Sequence, residues 1–477
     1  MNRRIIVVGG GISGLAAAHR LAELTAVNPI GLEIALLEAS ERLGGCISTE
    51  RVGDFLVEAG PDSLISEKPW ALDLCERLGI GARLVSTNPA RQGISVVHHG
   101  RLEPLPEGFL LMAPTRLRPF ISTRLFSVRG KLRMAGELFL PRRAAQDDES
   151  LADFVRRRFG REALERVVQP LIGGIYAADP EKLSLAATMP RFLEMERARR
   201  SVTWAMWREQ RRRRALSRRP ESGARWSLFL SLTGGLQELV DEIAGRLPDR
   251  TVQLGAHVIN LTWSSPKRSW IAATNRGQLE GDGVILATPA YSAAAMLSSV
   301  APELSQELRE IAYGSTATVS LAYCESEVPP ILGFGLIAPA VESRKILACT
   351  FSSLKYPGRA REGFVLLRAF VGGALQPHLF EQDDAAMEAG VRRELAELLG
   401  ITAEPLLRRI HRHPRSMPQY QVGHLARVQR IESQVAKLPG LALAGNAYRG
   451  VGIADCVHSG ETAAENIFRA IENGEAI

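Results

Sequence analysis

The chain has 477 residues, too many for one simple core, so two or three lobes are expected. With 45% hydrophobic and 23% charged residues and 43 glycines, its composition is that of an ordinary globular protein and gives no sign of disorder. The net charge of +7 is local: residues 191–225 hold 12 arginines and 4 glutamates, an excess of eight that leaves the remainder near neutral.

That basic run, with Arg211–Arg214 at its centre, reads as a solvated face or as a cationic rim for anionic lipid or an acidic substrate. No nucleic-acid-binding module accompanies it, so no nucleic-acid partner is expected. The five cysteines (Cys46, Cys75, Cys324, Cys349, Cys456) are odd in number and lack C-x-x-C spacing, which points to reduced thiols and a cytoplasmic setting. No leader is expected, because the apolar start runs into a glycine turn rather than a cleavage site. The uncharged window Gly283–Pro302 contains Pro289 and several serines and reads as a strand followed by a short helix, not as a membrane span.

In chain order, the strand Ile5–Val8 leads into Gly9-Gly10-Gly11-Ile12-Ser13-Gly14, a helix to about Leu24, and a strand Leu32–Leu37 ending on Glu38. Strand, G-x-G-x-x-G turn, helix, strand and acid together form a dinucleotide-binding fingerprint. Gly9 permits the tight turn, Gly11 admits a pyrophosphate, Gly14 allows close packing, and Glu38 can accept from a ribose. Glu38-Ala39-Ser40-Glu41-Arg42-Leu43-Gly44-Gly45 extends it, with Arg42 and the Gly44–Gly45 backbone placed to continue along the pyrophosphate.

Helices are expected at residues 70–78, 150–158 and 161–168. A turn at Leu232–Leu236 precedes a helix at Gln237–Gly245, the apolar stretch Val252–Val258, and a hairpin ending in the strand Val284–Ala287. Strands at Thr316–Tyr323 and Leu366–Val371 and a helix at Asp383–Leu399 follow. Last come Leu441–Leu443, the glycines Gly445 and Gly452, and a helix at about 456–473. Backbone groups offered from both ends of the chain suit an elongated FAD better than NAD. His411-x-His413 reads as a strand face, with no acidic partner nearby in sequence, and no metal site is expected.

The combination of G-x-G-x-x-G, E-x-x-x-R-x-G-G and Glu58-Ala59-Gly60-Pro61 resembles the flavin amine oxidase superfamily. Within it, Pro170–Asp179, Gly333–Pro339, Met417–His424 and Ala444–Cys456 are similar to the oxygen-dependent proto- and coproporphyrinogen oxidases of haem synthesis. The resemblance implies an α/β and α+β protein. A Rossmann-type FAD domain (residues 1–66, 226–290 and 436–477) would join a mixed-sheet substrate domain (67–90, 185–225 and 291–435) and a helical lobe (91–184).

FAD would be held by Gly9, Gly11, Ile12, Ser13, Gly14, Glu38, Ala39, Arg42, Gly44, Gly45, Gly60 and Pro61, with Val258 near the adenine. Gly445, Val451, Gly452 and Ile453 would lie by the flavin. The implied reaction is the oxidation of a porphyrinogen in three two-electron steps, each passing a hydride to the flavin and the electrons to O2 as hydrogen peroxide. Gly335, Ile337 and Phe370 would flank the macrocycle. The arginine by which many members hold a propionate is replaced here by Ile94, which leaves Arg91, or arginines elsewhere on the rim, as the substitute. The stretch from Pro114-Thr115 through Leu125-Phe126-Ser127 is similar to the Gram-positive type, and with the basic rim leans towards the tetracarboxylate, coproporphyrinogen III.

Phe109, Phe120 and Ile121, interleaved with Arg116, Arg118, Arg124 and Arg129, suit either a peripheral membrane contact or helices covering the pocket. A homodimer is a further expectation. The competing readings are an amine oxidase or carotenoid-type desaturase, for which Tyr448 alone would stand in for an aromatic pair, and a GDP-dissociation-inhibitor-like binding protein.

Overall fold

A computed structural model describes residues 3–28, 31–91, 93–110, 112–145, 147–216 and 228–473. Three distant segments meet in one five-stranded parallel sheet, ordered Val252–Gln253, Leu32–Leu37, Arg3–Val8, Gly283–Leu286 and Leu441–Leu443. Its strands are apolar on both sides because both faces are covered. Ile5, Val7, Leu36 and Ile285 turn to a core shared with the helices Ile12–Val27, Gln237–Ala244 and Ile453–Glu472. Ile6, Val8, Val284 and Leu286 turn the other way, onto the hairpin at Val258–Gly281 and the helices Ala290–Leu297, Pro302–Arg309 and His424–Val435. The uncharged window is thus the strand Gly283–Leu286 followed by the helix Ala290–Leu297. Among the described residues no helix is long and apolar enough to cross a membrane.

A second, mixed sheet of seven strands runs Leu407–Pro418, Tyr313–Cys324, Phe364–Gly372, Ala348–Thr350, Gly335–Ile337, Ser95–His98 and Arg101–Pro104. All its pairings are antiparallel except that between Gly335–Ile337 and Ser95–His98. The strands Ser95–His98 and Arg101–Pro104 therefore belong to this sheet and not to the helical lobe in which residues 91–184 place them. Conversely, residues 185–216 supply Leu185, Phe192 and Val202 to the core of the helical lobe, alongside Phe120, Phe126, Phe154 and Phe159. Apolar spacing reveals that a segment buries one face, not which core receives it.

The lobe also holds a buried ion pair between Arg158 and Glu137, completed by the Ser201 hydroxyl and the Val202 amide. The helix expected at 161–168 begins as α at Arg161–Ala163 and continues as a π turn over Leu164–Val168. Of the basic run, Arg208–Arg212 lie on the helix Val202–Leu216, with Arg211 stacked 3.4 Å over Trp207. Arg218, Arg219 and Arg225 lie outside the described residues.

Candidate active site

The N-terminal turn is built on backbone fit. Gly9 has φ +106°, and a Cβ on Gly14 would stand 1.8 Å from the Gly9 carbonyl, so strand and helix meet closely there. A Cβ at Gly11 would meet nothing within 4 Å, which leaves open space before the helix Ile12–Val27. No side chain caps that helix and no acid occupies its first turn, so the amides of Ile12, Ser13 and Gly14 are available to an anion. Glu38 accepts from the Gly10 amide at 2.6 Å and from the amide and hydroxyl of Ser40 at 2.8 Å. A carboxylate offers about four acceptor positions, so one remains for a ribose hydroxyl. Ala39 is exposed beside it, and the chain leading to Val258 is paired to Glu38 through Gln253 and Ala256. Thr288, two residues past the end of the neighbouring strand, has its Oγ1 buried without a partner and its methyl beside Gly9.

The second glycine pair is locked onto the first. The Gly44 amide donates to the Gly10 carbonyl at 2.8 Å, and Gly11 and Gly44 form a bridge. Arg42, expected to run along the pyrophosphate, donates to the carbonyls of Leu43, Gly45 and Ile47 and so braces its own loop. Gly60 lies against this loop, where a Cβ would come 2.0 Å from the Cys46 carbonyl; Pro61 follows it, partly exposed.

At the other end, Gly445 has φ +124° and donates to Ser459 Oγ at 3.0 Å, while Gly452 begins the helix Ile453–Glu472 with no side-chain cap. The loop between them is held by two residues whose roles the sequence reading missed. Tyr420 donates to the Asn446 carbonyl at 2.5 Å and accepts from the Gly450 amide at 2.8 Å. His424 stacks on Tyr420 at 4.0 Å and reaches the Tyr448 carbonyl at 2.9 Å, which places its proton on Nε2. Burial lowers its pKa, so it is neutral at pH 7. The Met417–His424 string was the available signal. The two uncapped helices are packed together by Gly460, where a Cβ would come 2.1 Å from the Ser13 carbonyl.

One apolar wall joins the cofactor loop to the mixed sheet. Ile337 is buried in the core of the helical lobe, and Ile94, Leu171, Tyr176, Phe370 and Val451 pack, partly buried, against that core. Gly335 is buried within its strand, a Cβ there standing 2.9 Å from the Cys349 carbonyl, so close sheet packing already accounts for it. Arg91 does not join the wall; it donates to the Ile331 carbonyl at 3.1 Å. Tyr448 packs in a different core, with Val428 and Ile431. His411 finds in Glu50, at 2.8 Å, the acidic partner its sequence neighbourhood lacks, and His413 reaches the Ala59 carbonyl at 2.9 Å. Among the described residues no group of three or more His, Cys, Asp or Glu could hold a metal ion. A cleft of about 640 Å³ lined by Arg143, Asp147, Glu149 and Arg157 contains none of the expected site residues.

The residues present fit a dinucleotide. Two uncapped helix N-termini offer donors to phosphate and a ring carbonyl, the open space at Gly11 admits the phosphate, and the spare acceptor on Glu38 can take a ribose hydroxyl.

The family described as flavin containing amine oxidoreductase matches residues 12–468. The chain is 36% identical to a coproporphyrinogen III oxidase of Bacillus subtilis (strain 168), covering 97% of each chain. It is 30% identical to a protoporphyrinogen oxidase of Bos taurus, covering 98% of this chain and 99% of that one. A crystal structure from Exiguobacterium sp. 255-15, provisionally named a protoporphyrinogen oxidase, superposes with a TM-score of 0.85 at 33% identity, covering 98% of this chain and 99% of that one.

Proposed function

This chain belongs to the flavin containing amine oxidoreductase family, and from that membership we propose an FAD-dependent porphyrinogen oxidase of haem synthesis, with coproporphyrinogen III as its favoured substrate. The observation that carries this reading is the wall shared by Val451, Ile337 and Phe370. Cofactor loop and sheet pack against one apolar core, the kind of lining a flat macrocycle beside a flavin would need. Bound FAD would accept the hydride and return the electrons to O2 as hydrogen peroxide.

The chain's own part is to bind, orient and keep the site dry. Gly9, Gly11 and the Ile12–Gly14 amides suit the pyrophosphate, and Glu38 the ribose. Gly60, Pro61, Gly445 and Val451–Ile453 suit the flavin. Tyr448, the residue that would stand in for the aromatic pair of an amine site, packs in another core from Val451 and Phe370, which counts against an amine substrate. The greater identity to the coproporphyrinogen relative supports the tetracarboxylate.

Anaerobic mixing of the purified holoprotein with coproporphyrinogen III or protoporphyrinogen IX tests the reading through bleaching of the flavin. Coproporphyrinogen III is expected to bleach it faster, and the reverse order would shift the assignment to protoporphyrinogen IX. Bleaching by an amine and by neither porphyrinogen, or a colourless protein, would sink it.

A second observation favours peripheral contact with an anionic bilayer on the cytoplasmic side. Leu117 and Ile121, and Val128 and Leu132, are exposed pairs at i, i+4 spacing on two short helices, which Lys131 joins by donating to the Ile121 and Thr123 carbonyls. Phe139, 79% exposed, follows them. Arg118, Arg124 and Arg129 surround these side chains in sequence. Sedimentation with anionic but not neutral vesicles is the expected result; equal recovery with both, or with neither, would refute it.

A further inference from the structure

The seven-stranded sheet has two unlike faces. Opposed residues share a face, and the register sets Thr318 against Phe370 and His411, Ser320 against Arg368, and Thr316 against His413. On one side Val319, Leu321, Leu367 and Ala369 bury an apolar core. The other side presents Thr318, Arg368, Phe370 and His413.

Three successive carbonyls of the loop at residues 58–61 are held by that second face. Thr318 Oγ1 donates to the Ala59 carbonyl at 2.8 Å, and His413 Nε2 donates to the same oxygen at 2.9 Å. Arg368 Nη1 donates to Gly60 at 2.7 Å and Glu58 at 3.2 Å, while its Nη2 pairs with Asp62 at 3.0 Å. Burial opposes ionisation of Asp62, but Lys355, 3.1 Å from both oxygens, and Arg368 outweigh it and hold the carboxyl below its ordinary range. On the loop's other side the Ala59 amide donates to the Ser48 carbonyl at 2.9 Å. Thr318 and Arg368 are both buried. Burying charge this way costs desolvation that apolar packing of equal volume would avoid, so stability alone does not call for it. Arg368 also lies 4.9 Å from the ring centroid of Phe370, so one side chain touches both the loop and the wall.

We propose that Thr318, Arg368 and His413 are positioning residues that clamp the Glu58–Pro61 loop at a set height relative to the wall at Phe370, and so fix the flavin-to-substrate distance. This rests on the assignment of Gly60 and Pro61 to the flavin and of Phe370 to the substrate. A displacement of about 1 Å at a reacting pair can cost roughly a hundredfold in rate.

Thr318→Val keeps the shape and removes the donor, whereas Thr318→Ser keeps the donor. Each is compared with wild-type holoprotein by the visible flavin spectrum, the FAD dissociation constant, and anaerobic flavin reduction by coproporphyrinogen III. For Thr318→Val the expected result is reduction about tenfold slower at saturating substrate, half-saturation within about twofold of wild type, and displaced flavin bands. Thr318→Ser is expected to stay within about twofold throughout. Arg368→Lys, unable to span two carbonyls and Asp62, loses more. A folded Thr318→Val with wild-type spectrum and rate overturns the clamp, as do equal losses in Val and Ser. If Thr318→Val does not fold, His413→Leu, which removes the second donor to the Ala59 carbonyl, carries the same readouts, and wild-type values there overturn the clamp. Wild-type flavin that no porphyrinogen reduces would instead defeat the functional reading, while the spectral and FAD-binding arms still judge the clamp.

Discussion

The N-terminal turn at Gly9–Gly14 and the C-terminal loop at Gly445–Ile453 do similar work by different means. Each ends at an uncapped helix N-terminus preceded by glycine. The first is shaped almost wholly by backbone fit, with Glu38 as its one anchoring side chain. The second borrows its shape from Tyr420 and His424, which reach back from a preceding segment. A cradle made of glycines fails by steric conflict; one made of borrowed hydrogen bonds fails by leaving buried groups unpaired.

The largest effect follows from the first cradle. Gly14→Ala places a Cβ 1.8 Å from a backbone oxygen, which cannot swing aside as a side chain could. A loss of about 3 kcal/mol is expected in urea denaturation. Gly11→Ala is its control: nothing lies within 4 Å, so stability should stay within about 0.5 kcal/mol while FAD affinity falls. Wild-type FAD affinity in Gly11→Ala would show that the open space is not the phosphate site.

Tyr420→Phe comes next and tests the second cradle. It deprives the Asn446 carbonyl and Gly450 amide of their partner without changing the ring's packing. Leaving such groups unsatisfied costs about 1–3 kcal/mol, measured by urea denaturation. An unchanged midpoint would mean that the loop holds its own shape, as the glycine turn does.

This contrast explains what the sequence revealed. The parallel sheet was legible because continuous apolar strands, glycine turns and the acid at Glu38 are local signals. The joining of three segments was legible because each carried such a signal. The clamp was not: on the strand Leu407–Pro418, His411 and His413 look like a solvated face, and their partners Glu50 and Ala59 lie over 350 residues earlier. The contacts of Arg42 with its own loop were not legible either, since a guanidinium serves a pyrophosphate and loop carbonyls equally well. The buried Arg158–Glu137 pair sits in a segment whose charges spell surface.

Acid should weaken the second cradle through His424, while the buried His19 on the helix of the first acts with the same sign. Burial lowers the pKa of His424 from its ordinary 6.5, so the unfolded chain takes up a proton first as pH falls. The stability contributed by the neutral ring is complete above about 6.5 and is lost below it. His413 carries the same sign, also through burial, whereas Asp62, held below 3.8, acts only in a more acid window. Urea midpoints from pH 8 to 5 should be level and then fall. His424→Gln, which keeps a donor for Tyr448, should fall less steeply, and an identical slope would remove His424 from the account.

The smallest effect is expected at the surface of the second cradle. Arg449, within the loop, pairs with Glu432 at 2.6 and 2.8 Å, but both side chains are about half exposed. Solvent screening leaves such a pair about 0.5 kcal/mol or less, which salt diminishes further. Glu432→Gln should therefore barely move the urea midpoint at low salt and not at all at high salt. FAD affinity should be unchanged in both. A loss matching that of Tyr420→Phe would mean that the loop is held from outside by charge rather than from beneath by Tyr420 and His424. The distinction is physical, because buried neutral hydrogen bonds respond to pH through His424 and not to ionic strength, whereas a half-exposed ion pair does the reverse.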